Sequence, residues 1–408
     1  MFDPLLNFFD KPFFHVLGQI YGFFELLAFI WGPILLVWLA QKLWLEYVRI
    51  AFIRKSYEFI LLEVKLPRTI DKTPMAMELV LQALHQGGTG NWYDRWWIGK
   101  VKPWFSLEVV SIEGNVKFLI RTPSKFKKLI ESHIYAQYPA IEVVEVQDYI
   151  SLAPYIHEKN EWSLWGCEFG LTKPDPFPIK TYVDYGLDKA GTKEEFKSDP
   201  ITSMIEFLGS IGRGQQIWMQ ILVQANGERY NTPGKWFGKH DWKDEGKRLI
   251  KEIQAKYAAP DGPKPSKSEM EAIAAVERSL AKIGFDCGIR TIYIARKENF
   301  DPSNIAGITG AFRQYSSPTL NGFKPTNTPG FDYPWQDWNG WRENKQKKKL
   351  FDAYVRRSYF YAPYKKKPFV LNSEELATIY HFPGGVAETP TFTRIESRKG
   401  EPPANLPI

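Results

Sequence analysis

The chain has 408 residues, of which 44% are hydrophobic, 15% are aromatic and 24% are charged. This composition excludes a wholly disordered protein, and the length is sufficient for two or three domains that each bury a hydrophobic core. The net charge is a moderate +7, and the chain has only two cysteines, Cys167 and Cys287. Two isolated cysteines make neither a disulfide framework nor a metal quartet, so we predict buried, reduced thiols.

The first predicted element is a membrane anchor. From Ile20 to Ala40 the sequence IYGFFELLAFIWGPILLVWLA has Glu25 as its only charge, and about 20 apolar residues suffice to cross a bilayer. A signal peptide has its positive charges before the apolar stretch, whereas here they follow it, at Lys42, Arg49, Arg54 and Lys55. The positive-inside rule then predicts a single-pass protein with its N-terminus outside and its soluble region in the cytoplasm.

The anchor leaves two questions of detail. Glu25 either reaches lipid headgroups or is hidden when the anchor forms a homo-oligomer; alternatively it contacts a partner inside the membrane, where ionisable groups are costly. The helix is predicted to continue beyond the span, because aromatic and apolar residues recur at three- and four-residue spacing at Trp44, Tyr47, Val48, Ala51 and Phe52.

Residues 56–150 predict the element order β-α-β-β-α-β, which is that of a split-βαβ or ferredoxin-like unit. A strand, YEFILLEVKL, precedes a helix opened by Thr73 and Pro74. The strands WFSLEVVSI and NVKFLIRT predict a hairpin that turns at Glu113–Gly114–Asn115. A second helix, PSKFKKLIESHIYAQYP, and the strand AIEVVEVQDY complete the unit.

The same order recurs in residues 151–372, with an insertion. The predicted strands are EWSLWGCEFGL, QQIWMQILVQA, GIRTIYIARK and, as the last one, KPFVLN. Helices are predicted for DPITSMIEFLGSI, capped by Asp199, and for DPSNIAGITGAFRQYS. Two amphipathic helices near residues 241–258 and 266–283 predict a helical hairpin between the middle strands. The predicted fold class is thus α+β: an anchor and juxtamembrane helix (1–55), two tandem split-βαβ units, and a C-terminal helix with an extended tail (373–408).

No motif nominates a catalytic residue. The stretch GSIGRGQQ, residues 209–216, lacks the lysine and the hydroxyl of a P-loop and predicts a turn. The six histidines lack the spacing of zinc ligands, and no G-x-S-x-G nucleophile motif occurs. We therefore predict a protein that is not an enzyme and that holds neither a metal nor a cofactor.

A basic segment, residues 342–367, is the predicted binding surface. It has ten Lys or Arg residues against two acidic ones, a net charge of +8: Arg342, Lys345, Lys347, Lys348, Lys349, Arg356, Arg357, Lys365, Lys366 and Lys367. Aromatic residues interleave with these charges, which suits nucleic acid, because cations can follow phosphates while rings stack on bases. The same residues also suit anionic lipid headgroups, a protein partner, or the solvated face of one more helix.

Two loops, NWYDRWWIGK and DYPWQDWNGW, are rich in tryptophan. Such loops either fold down as lids over the core or contact other proteins. We favour lids as the prediction.

Several longer phrases are typical of one family: PMAMELVLQALH, GFDCGIRTIYIA, ITGAFRQYSSPTLNGFKP, and VLNSEELATIYHFP running to EPPANLP. With the single anchor, they resemble the N-terminal half of the membrane-anchored ATPases of type IV secretion and conjugation systems, over nearly the whole chain. In that family an accessory domain precedes a RecA-like motor that moves DNA or protein through an envelope channel. The Walker residues are missing here. The resemblance therefore implies a non-catalytic component of a bacterial inner membrane, whose motor ATPase is a separate chain or a continuation of this one.

Residues 371–408 are the predicted joint to that ATPase. LNSEELATIYHFP predicts a short helix capped by Ser373 and stopped by Pro383. Its candidate docking residues are Leu376, Ile379, Tyr380, His381 and Phe382. The tail TPTFTRIESRKGEPPANLPI is typical of an extended segment that needs a receiving surface. The alternative is a frayed terminus on a complete domain.

Overall fold

The structure, a computed structural model, describes residues 18–384 except residues 20, 24, 26–27, 68–69, 71, 154–160, 189–198, 228–229, 232–238, 258–265 and 332. The described residues belong to two compact units. One consists of the N-terminal helix, which ends at Ser56, with Thr89–Val101, and the other consists of Tyr57–Gly88 with the residues from Lys102 onward.

The helix of the first unit, α1, spans Ala28–Ser56 and is 29 residues long, or about 43 Å. By length and composition it is apolar enough to cross a membrane, and none of its most apolar window is buried. Of the predicted span limits, Ala40 lies within α1 and Ile20 lies outside the described residues. The predicted continuation of the helix beyond the apolar stretch is confirmed, because α1 runs to Ser56.

The second unit begins with six elements in the predicted order: β1 Phe59–Lys65, α2 Pro74–Gln82, β2 Trp104–Ile112, β3 Asn115–Pro123, α3 Lys127–Gln137 and β4 Glu142–Val146. These strands are antiparallel neighbours in the order β2-β3-β1-β4. The predicted turn between β2 and β3 is confirmed. Glu113 and Gly114 both have positive φ, 52° and 86°, and two-residue turns of this kind match the twist of antiparallel strands.

The next elements are β5 Trp162–Leu171, α4 Pro200–Gly209, β6 Gln215–Ala225, β7 Tyr230–Asn231, β8 Lys239–His240, α5 Trp242–Tyr257, α6 Lys267–Leu280, β9 Gly284–Arg296, α7 Ser303–Arg313 and β10 Phe323–Thr326. The larger strands follow the order β10-β5-β9-β6. Helices α5 and α6 come between β6 and β9, where the helical insertion was predicted. The predicted cap of α4 is confirmed, because the Asp199 side chain accepts a hydrogen bond from the Ile201 N–H at 3.0 Å.

The two halves form one sheet. Strand β2 pairs with β6 along its whole length, from Trp104 opposite Gln224 to Ile112 opposite Gln216, and the resulting antiparallel sheet has nine strands. Both strands are buried over nearly every residue, and their pairing covers on each an edge that would otherwise leave backbone N–H and C=O groups unpaired. The predicted boundary at residue 150 therefore does not separate two sheets.

The final elements are α8 Trp341–Val355, β11 Phe369–Asn372 and α9 Ser373–Ile379. The prediction that KPFVLN supplies the last strand is confirmed, because Phe369–Asn372 forms β11. Strand β11 pairs with the start of β9, and the strand beside β5 is β10, which the sequence analysis did not predict. Strand β10 contains Lys324 and Pro325 and lies at the sheet edge. A proline without an N–H is tolerated there, but it hides the strand from sequence analysis.

Alternate residues of the strands enter two hydrophobic clusters on opposite faces of the sheet. One cluster contains side chains of α2, α3, α4, α7 and α9, together with Leu107 and Val109 of β2. The other contains Val110 of β2, Trp218 of β6, and Phe351 and Tyr354 of α8. Helix α8, which carries most of the basic segment, thus packs on the face of the sheet opposite to α2, α3, α4, α7 and α9.

Candidate functional site

Helix α8 is held at both its start and its inner face. The Asp337 carboxylate accepts hydrogen bonds from the backbone N–H groups of Arg342, at 3.1 Å, and Glu343, at 2.8 Å. On the inner face, Leu350, Phe351, Ala353 and Tyr354 are buried. The apolar side of α8 is therefore occupied, and its charged side faces outward.

A cavity of about 350 Å³ runs along the outer side of α8, lined by Lys345, Lys348, Lys349, Asp352, Ala353, Arg356, Pro363 and Tyr364. The helical lining residues recur every three or four positions, which places them on one stripe of the helix. Four of them are cations and one is an anion. The cavity therefore has the charge of a site for a phosphate or another anion.

Aromatic rings accompany these cations. The Lys345 Nζ lies 4.8 Å from the ring centroid of Trp341, and the Lys349 Nζ lies 5.7 Å from that of Tyr364. Trp341 is 64% exposed and Trp338, which precedes α8, is 88% exposed. Exposed indoles next to cations provide both stacking and charge.

Tyr364 is fixed by a buried carboxylate. Its hydroxyl donates to Glu168 Oε1 at 2.9 Å, and Arg290 donates to the same oxygen at 3.0 Å. Burial, with the Glu168 charge beside it, raises the pKa of Tyr364 above its ordinary value. The phenol thus remains a neutral donor at this end of the cavity.

Arg357 does not belong to the binding surface, although the sequence analysis placed it there. It is 1% exposed, and its guanidinium donates to both oxygens of Glu108, at 3.0 and 3.1 Å, and also to Asp148. Burial opposes ionisation of Glu108, but the Arg357 charge and its hydrogen bonds outweigh it and lower the pKa of this carboxyl. The positive charge of Arg357 is therefore paired with the carboxylates of Glu108 and Asp148 and does not belong to the outer surface.

Arg357 also ends α8. Its φ is +48°, and the N–H groups of Arg357 and Ser358 donate to the carbonyls of Tyr354 and Ala353 at 2.9 and 3.0 Å. This bonding pattern is a Schellman motif, in which the left-handed residue is usually glycine. An arginine stands here because its side chain makes the ion pairs with Glu108 and Asp148.

The remaining predicted cations lie outside the cavity. Lys347 pairs with Glu343 at 2.6 Å, and Arg342 donates to the carbonyl of Gln336 at 3.2 Å. The Lys366 Nζ lies 3.7 Å from Glu168 Oε2. Lys365 and Lys367 are exposed on the loop that follows Tyr364. The structure thus brings together Lys345, Lys348, Lys349 and Arg356.

The candidate docking residues of α9 and the residues after it are all buried. Leu376, Ile379 and Tyr380 are 0% exposed, and His381 and Phe382 are 1% exposed. His381 faces the carbonyl of Ala377 at 2.9 Å and the Asp199 carboxylate at 3.1 Å. This placement contradicts a docking surface made of these side chains, because their contacts are filled by the chain's own core. The tail, residues 385–408, lies outside the described residues.

The cap of α9 also differs from the prediction. Asn372, not Ser373, accepts the hydrogen bond of the first turn, from the Glu375 N–H at 2.8 Å, while the Glu375 side chain accepts from the Asn372 N–H at 2.8 Å. This reciprocal pair is a capping box. The Ser373 hydroxyl instead donates to Glu78 at 2.9 Å.

The second tryptophan loop is not a lid, because Trp335 and Trp338 are 71% and 88% exposed. In the first loop, Trp92 and Trp97 are 65% and 58% exposed. The predicted state of the cysteines is confirmed, because Cys167 and Cys287 are both buried and neither forms a disulfide. Burial, with Glu168 nearby, raises the pKa of Cys167 to about 12.

Neither a metal site nor a nucleotide loop is found in the part of the chain that the structure describes. No group of three or more His, Cys, Asp or Glu side chains there is arranged to hold a metal ion. The glycine-rich stretch at residues 209–216 joins α4 to β6 as a turn.

The sequence analysis missed Asp352, Ala353, Pro363 and Tyr364 as cavity residues. Asp352 could have been predicted to lie on the same helix face as the cations, because it is four residues after Lys348 and four before Arg356. Pro363 and Tyr364 follow the helix, and nothing in their spacing shows that the chain returns to it. The tertiary fold alone brings them to the site.

A family comparison covers most of the chain. The model of "Domain of unknown function (DUF8128)" matches residues 54–394. The chain belongs to the DUF8128 family. The DUF8128 match includes every described strand together with α8 and α9, so the basic cavity is built within the family's domain. A search of curated proteins finds no match.

Proposed function

We propose that this DUF8128 protein is a membrane-tethered, non-catalytic protein that binds nucleic acid through the basic cavity of α8. The observation that carries the proposal is the stripe of Lys345, Lys348, Lys349 and Arg356 on the outer face of a helix whose inner face is fully packed. A nucleic-acid backbone offers phosphates at the spacing that such a stripe can follow, and Trp338 and Trp341 offer exposed rings for its bases.

These four cations are available to a ligand. Among the described residues, no carboxylate oxygen lies within 4.0 Å of their charged nitrogens, which contrasts with Lys347 and Arg357. A surface charge that stabilises no partner in the fold contributes little to stability. The stripe is therefore better explained by an external anion than by the fold.

The tether in this proposal is α1. We assign the span to Ile20–Ala40, with the N-terminus outside and the domain after Lys55 in the cytoplasm, because the basic residues follow the apolar stretch. A cytoplasmic position gives the cavity access to nucleic acid.

The fold part of the proposal is that each half of the sheet is a ferredoxin-like split-βαβ unit. Both halves have the sequence order β-α-β-β-α-β, and their spatial orders, β4-β1-β3-β2 and β10-β5-β9-β6, correspond strand by strand. Pairing of β2 with β6 then joins the two units at equivalent edge strands.

A second candidate is an assembly role in a type IV secretion or conjugative DNA-transfer apparatus, with a motor ATPase, other secretion-system subunits or a second copy of the chain as the partner. The resemblance of the quoted phrases supports this setting, and the exposed Trp335 and Trp338 suit a protein contact. Co-purification with an ATPase encoded beside the gene tests it. Equal recovery by the wild type and a Trp335→Ala/Trp338→Ala variant would remove this surface from the proposal.

The nucleic-acid proposal is tested with the full chain in neutral-lipid nanodiscs, so that anionic headgroups do not compete. Affinity for single-stranded and duplex DNA is measured from low to physiological salt. Binding should weaken steeply with salt, because every neutralised phosphate releases counterions. A Lys345→Ala/Lys348→Ala/Lys349→Ala variant should lower the salt slope by about one for each phosphate that it no longer neutralises.

The matched control is a Lys247→Ala/Lys251→Ala/Lys267→Ala variant, which removes equal charge from exposed positions on α5 and α6. It should bind as the wild type does. If both variants lost the same DNA affinity, the loss would reflect net charge alone. If the wild type showed no salt-dependent DNA binding, the proposal would be rejected. Binding to anionic vesicles in place of DNA would identify the surface as a lipid site. If the purified chain hydrolysed ATP, the proposal that the protein is non-catalytic would be rejected.

A further inference from the structure

The first tryptophan loop packs on α1 within the N-terminal unit. The Trp44 Nε1 donates to the carbonyl of Trp96 at 3.3 Å, and the Trp44 and Trp97 rings are 5.5 Å apart. Gly99 has φ of +74°, and a Cβ there would lie 2.5 Å from the carbonyl carbon of Val48. Val48 is only 7% exposed. The loop is therefore held against the helix by close backbone contact.

The loop has an internal structure that presents its side chains outward. Asp94–Ile98 forms a single π-helical turn, and the Lys100 N–H donates to the Asp94 carbonyl at 2.8 Å. The exposed fractions are 65% for Trp92, 55% for Tyr93, 58% for Trp97 and 44% for Ile98. A held segment that exposes this many large apolar side chains indicates an interaction surface.

The position of this surface along α1 identifies the partner. Trp44 lies four residues beyond Ala40, where the apolar stretch ends, or about 6 Å farther along the helix axis. This is the depth of the headgroup region for a helix whose apolar part crosses the bilayer. Tryptophan and tyrosine concentrate at that depth, because their rings are apolar and their N–H or O–H groups reach water.

We propose that Trp92, Tyr93, Trp97 and Ile98 insert into the headgroup boundary of the bilayer that α1 crosses. With Trp44 and Tyr47 of α1, which are 43% and 68% exposed, they form a wide aromatic belt. The belt fixes the depth and tilt of the anchor, and the basic residues Arg49, Arg54 and Lys55 follow it toward the cytoplasm. The inference rests on the membrane span proposed above for α1.

Depth measurements with spin labels test the belt. The full chain is reconstituted in phosphatidylcholine vesicles, which carry no net charge and so do not attract the basic stripe near Trp338, with a nitroxide attached at Tyr93→Cys. The native Cys167 and Cys287 are buried and so do not take up the label under native conditions. Relaxation by oxygen, which concentrates in lipid, is compared with relaxation by a water-soluble nickel chelate. Labels at Leu35→Cys and Trp338→Cys provide the lipid and aqueous references.

The oxygen-to-nickel accessibility ratio should be highest at Leu35→Cys, intermediate at Tyr93→Cys and several-fold lower at Trp338→Cys. A Trp92→Cys label should agree with Tyr93→Cys, which guards against one poorly folded variant. If both loop labels match Trp338→Cys while Leu35→Cys is lipid-exposed, the belt is overturned and the span stands. If Leu35→Cys is also aqueous, α1 is not a span, and both the tether and the belt are rejected.

Discussion

Arg356 and Arg357 are adjacent residues with opposite roles. Arg356 lines the outer cavity and is exposed, whereas Arg357 points inward to Glu108 and Asp148. The left-handed turn at Arg357 separates them, because it ends α8 and redirects the side chain. Charge counting alone gives both residues the same role, and only the backbone geometry distinguishes them.

The pair provides a direct test of this division. An Arg357→Ala variant leaves Glu108 buried without its cation, which should lower the free energy of unfolding by about 3–5 kcal/mol. An Arg356→Ala variant should change it by at most about 0.5 kcal/mol but should weaken DNA binding. Urea unfolding monitored by circular dichroism, together with the DNA titration, measures both. Equal destabilisation by the two variants would contradict the assigned roles.

The same ion pair predicts a pH dependence. Because the pKa of Glu108 is lower in the folded chain than its ordinary value, its contribution to stability is present above the ordinary pKa and is lost as pH falls through the folded pKa. The stability difference between the wild type and a Glu108→Gln variant should therefore stay constant from neutral pH down to the ordinary glutamate pKa and shrink as the pH falls below it. Urea titrations across that range measure it, and a difference that grows on acidification would contradict the ion pair.

At the scale of elements, α9 shows which inferences the sequence supports. Its presence and its start near residue 373 follow from the polar cap and the apolar spacing. Its location does not, because an amphipathic segment near a chain end suits a docking helix as well as a core helix. The structure encloses it on every side, and even Glu374 and Glu375 are 2% exposed. For strand β10 the element itself was not predicted, because FKPT has too few apolar residues to indicate a strand.

A core role for α9 is tested by truncating its side chains. Leu376→Ala should cost about 2–5 kcal/mol of folding free energy, and Asn372→Ala should cost about 1 kcal/mol because it removes the capping box. Leu152→Ala, at a residue that is 57% exposed, is the matched control and should be close to neutral. If Leu376→Ala leaves the urea midpoint unchanged, α9 is not part of the core.

For the whole molecule, the arrangement of an apolar helix before a single sheet predicts how the protein distributes in a cell. A reporter fused after Lys55 should behave as cytoplasmic, because the basic residues follow the apolar stretch. Protease that reaches the outer face of the intact membrane should not digest the sheet, whereas it should do so after that membrane is opened. Digestion while the membrane is intact would reverse the proposed topology. The element order was largely predictable, but the joining of the two halves was not, since strand pairing between distant residues leaves no local pattern.

The β2–β6 pairing also has a consequence for synthesis on the ribosome. Strand β2 is complete at Ile112, but its partner β6 is complete only at Ala225, a delay of roughly 6–23 s at ordinary elongation rates. During that interval the first half exposes an apolar strand edge of nine residues, which is a site for mispairing with other nascent chains.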